Sequence, residues 1–154
     1  MTSYWLAKSE PDVYSVDQLA KEKRTLWTGV RNHRARNIMR DEMKPGDLVF
    51  FYHSNADPSA VVGIMRVAGP PKPDPTQFDT KRKDMGYDPK STRENPTWWA
   101  AQLEFVEKLP RPVSLAQIKA EKRLSAMALV KISQLSVQPV TAAEWKVVLA
   151  LAKP

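Results

Sequence analysis

Two apolar segments joined by a short polar loop constrain the fold more than any other feature of the chain. Leu48–His53 and Ala60–Val67 flank the polar stretch Ser54–Ser59. Segments of this length and composition are typical of strands, and the short loop predicts antiparallel neighbours. The first segment is apolar on both faces until its end, so the sheet needs cover on both sides. Gly63 inside the second segment indicates a bulge or a close approach of another backbone.

Other strands and helices follow in an irregular order. The pattern predicts strands over Tyr4–Ala7, Leu26–Trp27, Trp98–Leu109 and Ser136–Val137, the third stopped by Pro110–Pro112. One helix is expected from Asn32 to just before Pro45, with Ala35, Ile38, Met39 and Met43 as its buried stripe. Capping boxes at Ser15–Gln18, Ser114–Gln117 and Thr141–Glu144 predict three further helix starts.

This order argues against a doubly wound parallel sheet, in which strands and helices alternate. We therefore expect an α+β fold: a small closed or half-closed mixed β-barrel of about five or six strands, with short peripheral helices. Residues 69–96 hold six of the thirteen prolines. An irregular segment of this length within a compact domain is usually functional.

Composition excludes several classes of protein. The 154 residues correspond to one domain, expected over 1–154, and they contain no cysteine, which excludes disulfides, thiolate metal sites and a cysteine nucleophile. No apolar run reaches the ~20 residues of a membrane helix, and Met1–Trp5 does not resemble a signal peptide. We expect a monomer in the cytoplasm, or in the nucleus of a eukaryote, without contact to a membrane.

The net charge of +7 favours a polyanionic partner. Residues 21–44 carry eight basic and three acidic side chains. A basic helix is often only a solvated face, so the charge alone leaves both interpretations open.

Few residues suggest catalysis. The chain has no Gly-rich phosphate loop and no G-x-S-x-G elbow. Its two histidines, His33 and His53, have no spacing typical of metal ligands. Loop aspartates such as Asp74 and Asp79 are the type of residue that forms turns. We therefore expect no catalytic residue, no metal and no cofactor.

The segment Trp27–Asn37 contains the parts of a site for a base and its phosphate. Trp27 offers a ring for stacking, and Asn32 offers a donor and an acceptor to a base edge. The three arginines of this segment are candidates for phosphate contacts: Arg31, Arg34 and Arg36. The alternative is structural: Trp27 in the core, Asn32 only a helix cap and the arginines solvated.

Two further tracts stand at strand ends. Tyr52-His53-Ser54 turns polar where barrel mouths often bind ligands, or where a strand simply meets water. Trp98 and Trp99 are adjacent on one strand, so their side chains point to opposite faces of the sheet. Only one of them can therefore pack into the core on a given face. The other lines a pocket or lies under the proline-rich segment.

The chain resembles the EVE domain family, a branch of the PUA-like superfamily. The resemblance rests on short sequence motifs that occur in the family's order along the chain: Tyr4–Pro11, Tyr14-Ser15, Trp27–Asn32, Ala35–Asn37, Gly46-Asp47, Phe50–Ser54, Gly63-Ile64, Pro73–Thr76, Asp79, Leu135–Thr141 and Glu144-Trp145. The chain departs from the family pattern at Lys72, Thr97 and Gln134, where relatives often have Tyr, a basic residue and Arg.

The resemblance implies a PUA-like barrel and a role in recognising modified bases in nucleic acid. It implies a base pocket lined by eight residues: Lys8, Ser9, Trp27, Asn32, Tyr52, His53, Ser54 and Trp99. The expected partner is DNA or RNA, as a single strand or with one base flipped out of the duplex.

Two other functions stay open from the sequence. One is an enzyme acting on a modified base or nucleoside, with acid–base groups drawn from Lys8, Glu10, His53 and Asp79. The other is a sensor of a small ligand, whose basic face binds a protein.

Overall fold

The computed structural model describes residues 1–82 and 86–154. Its strands, in chain order, are β1 (Tyr4–Ser9), β2 (Arg24–Leu26), β3 (Leu48–His53), β4 (Ala60–Val67), β5 (Lys72–Pro73), β6 (Trp99–Ala100), β7 (Gln102–Ser114) and β8 (Val137–Val140). Its α-helices are α1 (Val16–Glu22), α2 (His33–Asn37), α3 (Leu115–Ala120), α4 (Ala128–Lys131) and α5 (Ala142–Leu151). Turns of 3-10 helix cover Pro75–Phe78, Thr80–Arg82 and Lys122–Leu124.

Six strands form one mixed sheet in the order β2-β7-β4-β3-β1-β8. β1 runs parallel to β3, and every other neighbouring pair in this sheet is antiparallel. The sheet forms a half-barrel with short helices around it, which confirms the expected α+β, PUA-like fold. β5 and β6 pair separately. Within residues 1–82 and 86–154, every helix is too short or too polar to cross a lipid bilayer.

Strand β3 is buried on both faces, as its sequence predicts. Val49 and Phe51 belong to a cluster that includes Trp27, and we call this side of the sheet the Trp27 face. Phe50 belongs to the opposite cluster, the Trp145 face, where its ring stacks on Trp145 at 3.7 Å between centroids. The sheet therefore separates two cores, covered mainly by α1 and α2 on one side and by α3, α4 and α5 on the other.

Side-chain caps begin the longer helices. The boxes at Ser114 and Thr141 are complete, each with its Gln or Glu partner reaching back to the cap. Ser15 caps α1 by accepting from the Gln18 amide at 3.1 Å. The predicted return bond from Gln18 is wrong, because that side chain donates to Glu22 at 3.4 Å instead.

The predicted helix after Asn32 consists of two parts. α2 is followed by a π-helical turn over Ile38–Glu42. The predicted buried stripe is confirmed, with the following side chains in the core: Ala35, Ile38, Met39 and Met43.

The prediction that Pro110 and Pro112 end a strand is wrong, because β7 continues to Ser114. The ladder between β4 and β7 shifts register between Val61 and Gly63, which pair with Val113 and Lys108. Both prolines lie in the bulged stretch between those pairs, where a missing N–H removes no ladder bond.

Gly63 lies where strand β4 closely approaches both α1 and β7, as its place in the strand predicts. A Cβ there would lie 2.8 Å from Val16 Cγ2 and 3.0 Å from the Glu107 carbonyl oxygen. We expect Gly63→Ala to lower the free energy of unfolding by about 1–3 kcal/mol through overpacking. Urea denaturation measures the change.

Gly69→Ala is the matched control, because its Cβ would meet only the flexible end of the Gln102 side chain, at 2.9 Å. A Gly63→Ala variant no less stable than Gly69→Ala would contradict this packing.

Candidate functional site

A cleft of about 890 Å³ opens where strands β1 and β3 end. The two strands are parallel, with Lys8 beside Tyr52 and Ser9 beside His53, so their last residues meet at one edge of the sheet. The Ser54 amide donates to the Ser9 carbonyl at 3.1 Å and extends the pairing by one residue. This edge brings Lys8, Ser9 and Ser54 together, as the family resemblance implies.

Two aromatic side chains border the cleft. Trp27 is only 6% exposed and lies edge-on to Phe51, with 5.2 Å between ring centroids. Tyr14 lies edge-on to Trp27 at 6.2 Å, and its hydroxyl donates to Glu22 at 2.7 Å. Burial is the main reason why the pKa of Tyr14 rises to about 12. Trp27 is thus both core and cleft wall, and the two rings are held in place before any ligand arrives.

Hydroxyl groups dominate the polar part of the wall. Those on serine and threonine belong to Ser9, Thr25, Thr28, Ser54, Thr76, Ser133 and Ser136. The Ser9 hydroxyl donates to the Tyr14 carbonyl at 2.9 Å, which joins the end of β1 to the segment before α1. Such groups can donate and accept without adding charge.

Lys8 contributes a positive charge to the cleft. Its ammonium donates to the Ser133 carbonyl at 2.6 Å and lies 5.9 Å from the centre of the Tyr52 ring. Burial lowers the pKa of Lys8. No carboxylate among the described residues lies within ion-pair distance of its ammonium.

The wall formed by Trp27–Arg31 is fixed from behind by a buried carboxylate. Asp74 is fully buried and accepts from the Gly29 amide at 2.8 Å and from Arg31 Nη1 at 3.0 Å. It also accepts from the amide and hydroxyl of Thr76 at 2.8 and 2.6 Å. Gly29 has a φ of +85°, a conformation that glycine adopts readily.

Arg31 lines the cleft, but its guanidinium points into the protein. Besides Asp74 it binds Thr76 Oγ1 at 2.8 Å and the Gly86 carbonyl at 2.6 Å. It also lies 5.3 Å from the centre of the Trp98 ring. Its charge is therefore engaged by Asp74, Thr76, Gly86 and Trp98 and is not free for a phosphate.

The structure does not bring Arg36, Arg34 or Asn32 to the cleft. Arg36 donates to the Thr97 carbonyl at 2.9 Å and to Asn37, while Arg34 lies exposed on α2. Asn32 caps α2 by accepting from the Ala35 amide at 2.9 Å, which is the structural alternative weighed for it.

Tyr52 and His53 do not line the cleft either. Tyr52 is buried on the Trp145 face. His53 Nε2 accepts from the Val16 amide at 3.1 Å and so takes up a free N–H at the start of α1. Burial lowers the pKa of His53, while Asp17 opposes that shift and Lys108 adds to it.

Trp99, expected as the opposing wall, is outside the cleft as well. It pairs with Pro73 between β6 and β5, and its indole N–H donates to the Pro96 carbonyl at 3.3 Å. Trp98 is the core member of the pair and donates to Asp88 at 2.8 Å.

Sequence reasoning missed several residues of the cleft. The sequence position of Tyr14 could have marked it as a cleft residue, because it is a lone aromatic residue just before the helix cap Ser15. Thr28, Arg82, Ser133 and Ser136 line the cleft without any local pattern that marks them. Within the described part of the chain, no three His, Asp or Glu side chains come together as metal ligands.

His53 makes the stability of this edge dependent on pH. Its pKa is lower in the folded protein than the usual 6.5, so the unfolded chain binds the proton more readily. The stabilising contribution is complete above the unfolded pKa and is lost as the pH falls below it. We expect the free energy of unfolding to decrease between about pH 7 and pH 5.

His53→Gln keeps an acceptor for the Val16 amide and does not titrate, so it should flatten this decrease. His33→Gln, at the exposed first residue of α2, is the matched control. Chemical denaturation at a series of pH values measures the slopes, and an equal slope in wild type and His53→Gln would refute the assignment.

Comparison with known proteins gives a consistent result. The EVE domain model matches residues 3–151. Human thymocyte nuclear protein 1 is 35% identical over 98% of this chain and 74% of its own length. The protein of the same name from Danio rerio is 40% identical over 97% of this chain and 71% of its own length.

Solved structures agree with this result. The human THYN1 protein in complex with 5-methylcytosine containing DNA matches with a TM-score of 0.92 and 35% identity, over 99% of both chains. A hypothetical protein from Leishmania major matches with a TM-score of 0.93 and 40% identity, over 99% of this chain and 95% of its own. An ASCH protein from Zymomonas mobilis, 11% identical with a TM-score of 0.56, shares the fold. The chain belongs to the EVE domain family.

Proposed function

We propose that this protein binds nucleic acid and holds one modified base, flipped out of its strand, in the cleft at the ends of β1 and β3. The observation that carries the proposal is the cleft itself: Trp27 and Tyr14 on one side, Lys8 and a row of hydroxyls around them. The human relative THYN1 forms a complex with 5-methylcytosine containing DNA. Methylated cytosine in DNA is therefore the first ligand class to test.

The cleft has the dimensions and chemistry that a base requires. Its volume of about 890 Å³ lies within the range of small-molecule sites. Flipping a base costs a few kcal/mol, and contact with aromatic rings contributes ~1–3 kcal/mol per base. Because Trp27 is 6% exposed, it offers an edge, so Tyr14 and the hydroxyls share the contact.

Phosphate contacts supply the rest of the affinity. Lys8 lines the cleft, and Arg34 lies exposed on the neighbouring α2. Each contact between such a group and a phosphate makes the affinity more dependent on salt, so that binding weakens more steeply as the salt concentration rises. The net charge of +7 favours encounter with the polyanion.

A catalytic role fits the geometry less well, because the four candidate acid–base groups all have partners within the protein. Lys8 donates to the Ser133 carbonyl at 2.6 Å. His53 accepts from the Val16 amide at 3.1 Å, and Asp79 pairs with Arg82 at 3.3 Å. Glu10 accepts from Asn55 at 3.2 Å. We propose a binding module without turnover.

A binding panel tests the proposal. Fluorescence anisotropy compares short single- and double-stranded DNA carrying one 5-methylcytosine with unmodified twins, and with RNA of the same sequences. We expect the methylated strand to bind about tenfold more tightly, a difference of ~1.4 kcal/mol. Trp27→Phe should reduce that ratio, because the smaller ring removes part of the wall against which the base packs.

Trp99→Phe is the matched control, since Trp99 lies outside the cleft. It should leave the ratio unchanged, and thermal denaturation shows whether both variants fold. If the wild type bound methylated and plain strands with equal affinity, for single- and double-stranded DNA and for RNA, the result would contradict the proposed function.

A separate variant tests the phosphate contact. Arg34→Ala should weaken the binding of methylated and plain strands alike. It should also lower the slope of log affinity against log salt concentration by about 0.7–0.9. Affinity measured at several salt concentrations gives the slope, with Lys153→Ala at the distant C-terminus as the control. A slope equal to that of Lys153→Ala would remove Arg34 from the interface.

A further inference from the structure

A second, smaller pocket lies beside the edge strand β2. Its volume is about 260 Å³, and its wall includes Arg24, Lys72, Gln102 and Leu103. Thr25 and Leu26 line both this pocket and the large cleft. The two sites therefore border the same segment of β2, so that one extended ligand can contact both.

The distance between the two sites suits a nucleic-acid strand. Trp27 borders the cleft and Arg24 the pocket, three residues apart along extended backbone, roughly 10 Å at ~3.3 Å per residue. Stacked nucleotides advance ~3.4 Å each. The separation of Trp27 and Arg24 corresponds to about three such steps, and the pocket residues Leu26 and Thr25 lie nearer to Trp27 along the chain. A strand with one base in the cleft therefore places its next nucleotides at the pocket.

The charge around the pocket matches phosphate. Arg24 and Arg66 share one carboxylate, Glu104, at 3.4 Å each. Lys72 is exposed, and no carboxylate among the described residues lies within ion-pair distance of it. Three cations facing one anion leave an excess of positive charge at this point.

The edge of β2 adds backbone groups that can bind any sequence. Trp27 donates inward to the Ala101 carbonyl, and the Lys23 carbonyl accepts inward from Phe105, each at 2.8 Å. Because bonding alternates along an antiparallel strand, the backbone groups of Arg24 and Leu26 face outward. The partly exposed side chain of Leu26 adds apolar surface for a base or sugar.

We propose that this pocket takes a nucleotide flanking the base held in the cleft, with Lys72 and Arg24 on its phosphate. The inference rests on the proposed function of the cleft. It makes the ligand a short oligonucleotide and not a free nucleoside. Because the pocket offers charge and apolar surface, it should add affinity without reading the modification.

Length and charge series test the proposal. Isothermal titration compares 5-methyldeoxycytidine with single-stranded oligonucleotides of one to six nucleotides that contain 5-methylcytosine, and with plain twins. In the wild type, affinity should rise at least tenfold from the nucleoside to the trinucleotide. Lys72→Glu should lower the affinity for the trinucleotide about three- to tenfold and lower the salt slope of that affinity by about 0.7. The ratio of affinities for methylated and plain strands should stay unchanged.

Lys146→Glu, exposed on α5, is the matched charge control. Equal trinucleotide affinity in Lys72→Glu and Lys146→Glu would overturn the proposal, as would a nucleoside bound as tightly as the trinucleotide. These results leave the methylated-to-plain ratio of the wild type as a separate readout. A ratio of one there contradicts the proposed function of the cleft, whereas a ratio above one with no effect of Lys72→Glu contradicts only the second pocket.

Discussion

A buried carboxylate, Asp74, is the interaction on which the cleft depends. It is fully buried, and it binds the Gly29 amide, Arg31 and Thr76 together. Removing a charge from water is costly unless the charge is paired and hydrogen-bonded. Asp74 satisfies both conditions, so the segment that follows Trp27 has one well-defined position relative to residues 74–76. The aromatic wall of the cleft is held by this pairing, since the wall itself is not part of a strand.

The same network orders the described parts of the proline-rich segment, residues 69–82 and 86–96, which have little regular structure of their own. Gln77 is fully buried and donates to the carbonyls of Asp74 and Trp98, each at 2.8 Å. It accepts in turn from the Trp98 amide and from Ser91. In a site of low dielectric, such a connected set of hydrogen bonds is stronger than isolated pairs. Arg31 and Arg36 then lie against the Trp98 ring and join this segment to α2.

Local signals in the sequence predict much of the fold. The bounds of β3 and β4, the caps at Ser114 and Thr141, and the buried stripe from Ala35 to Met43 all depend on near neighbours along the chain. The course of β7 through Pro110 was not predictable, because it depends on a bulge opposite Gly63 in another strand.

The candidate site was less predictable for the same reason. Asp74 resembles a turn-forming residue in the sequence, yet its partners Gly29 and Arg31 lie more than forty positions away. His53 likewise reaches across to Val16. The segment from Trp27 to Arg31 lines the cleft, but the arginines of the wider segment serve different purposes: Arg31 and Arg36 bind inside the protein and Arg34 faces solvent.

Indole N–H resonances offer the most direct test of where a modified base binds. The chain has five tryptophans, each with its own signal in a proton–nitrogen NMR spectrum. On titration with a 5-methylcytosine oligonucleotide, we expect the Trp27 signal to shift strongly, because the base binds against this ring. The signals of Trp5, whose indole donates to buried Asp47, and of Trp145 on the opposite face should stay in place. A Trp27 signal that remains still, while the methylated strand is bound more tightly than its plain twin, would contradict the central claim.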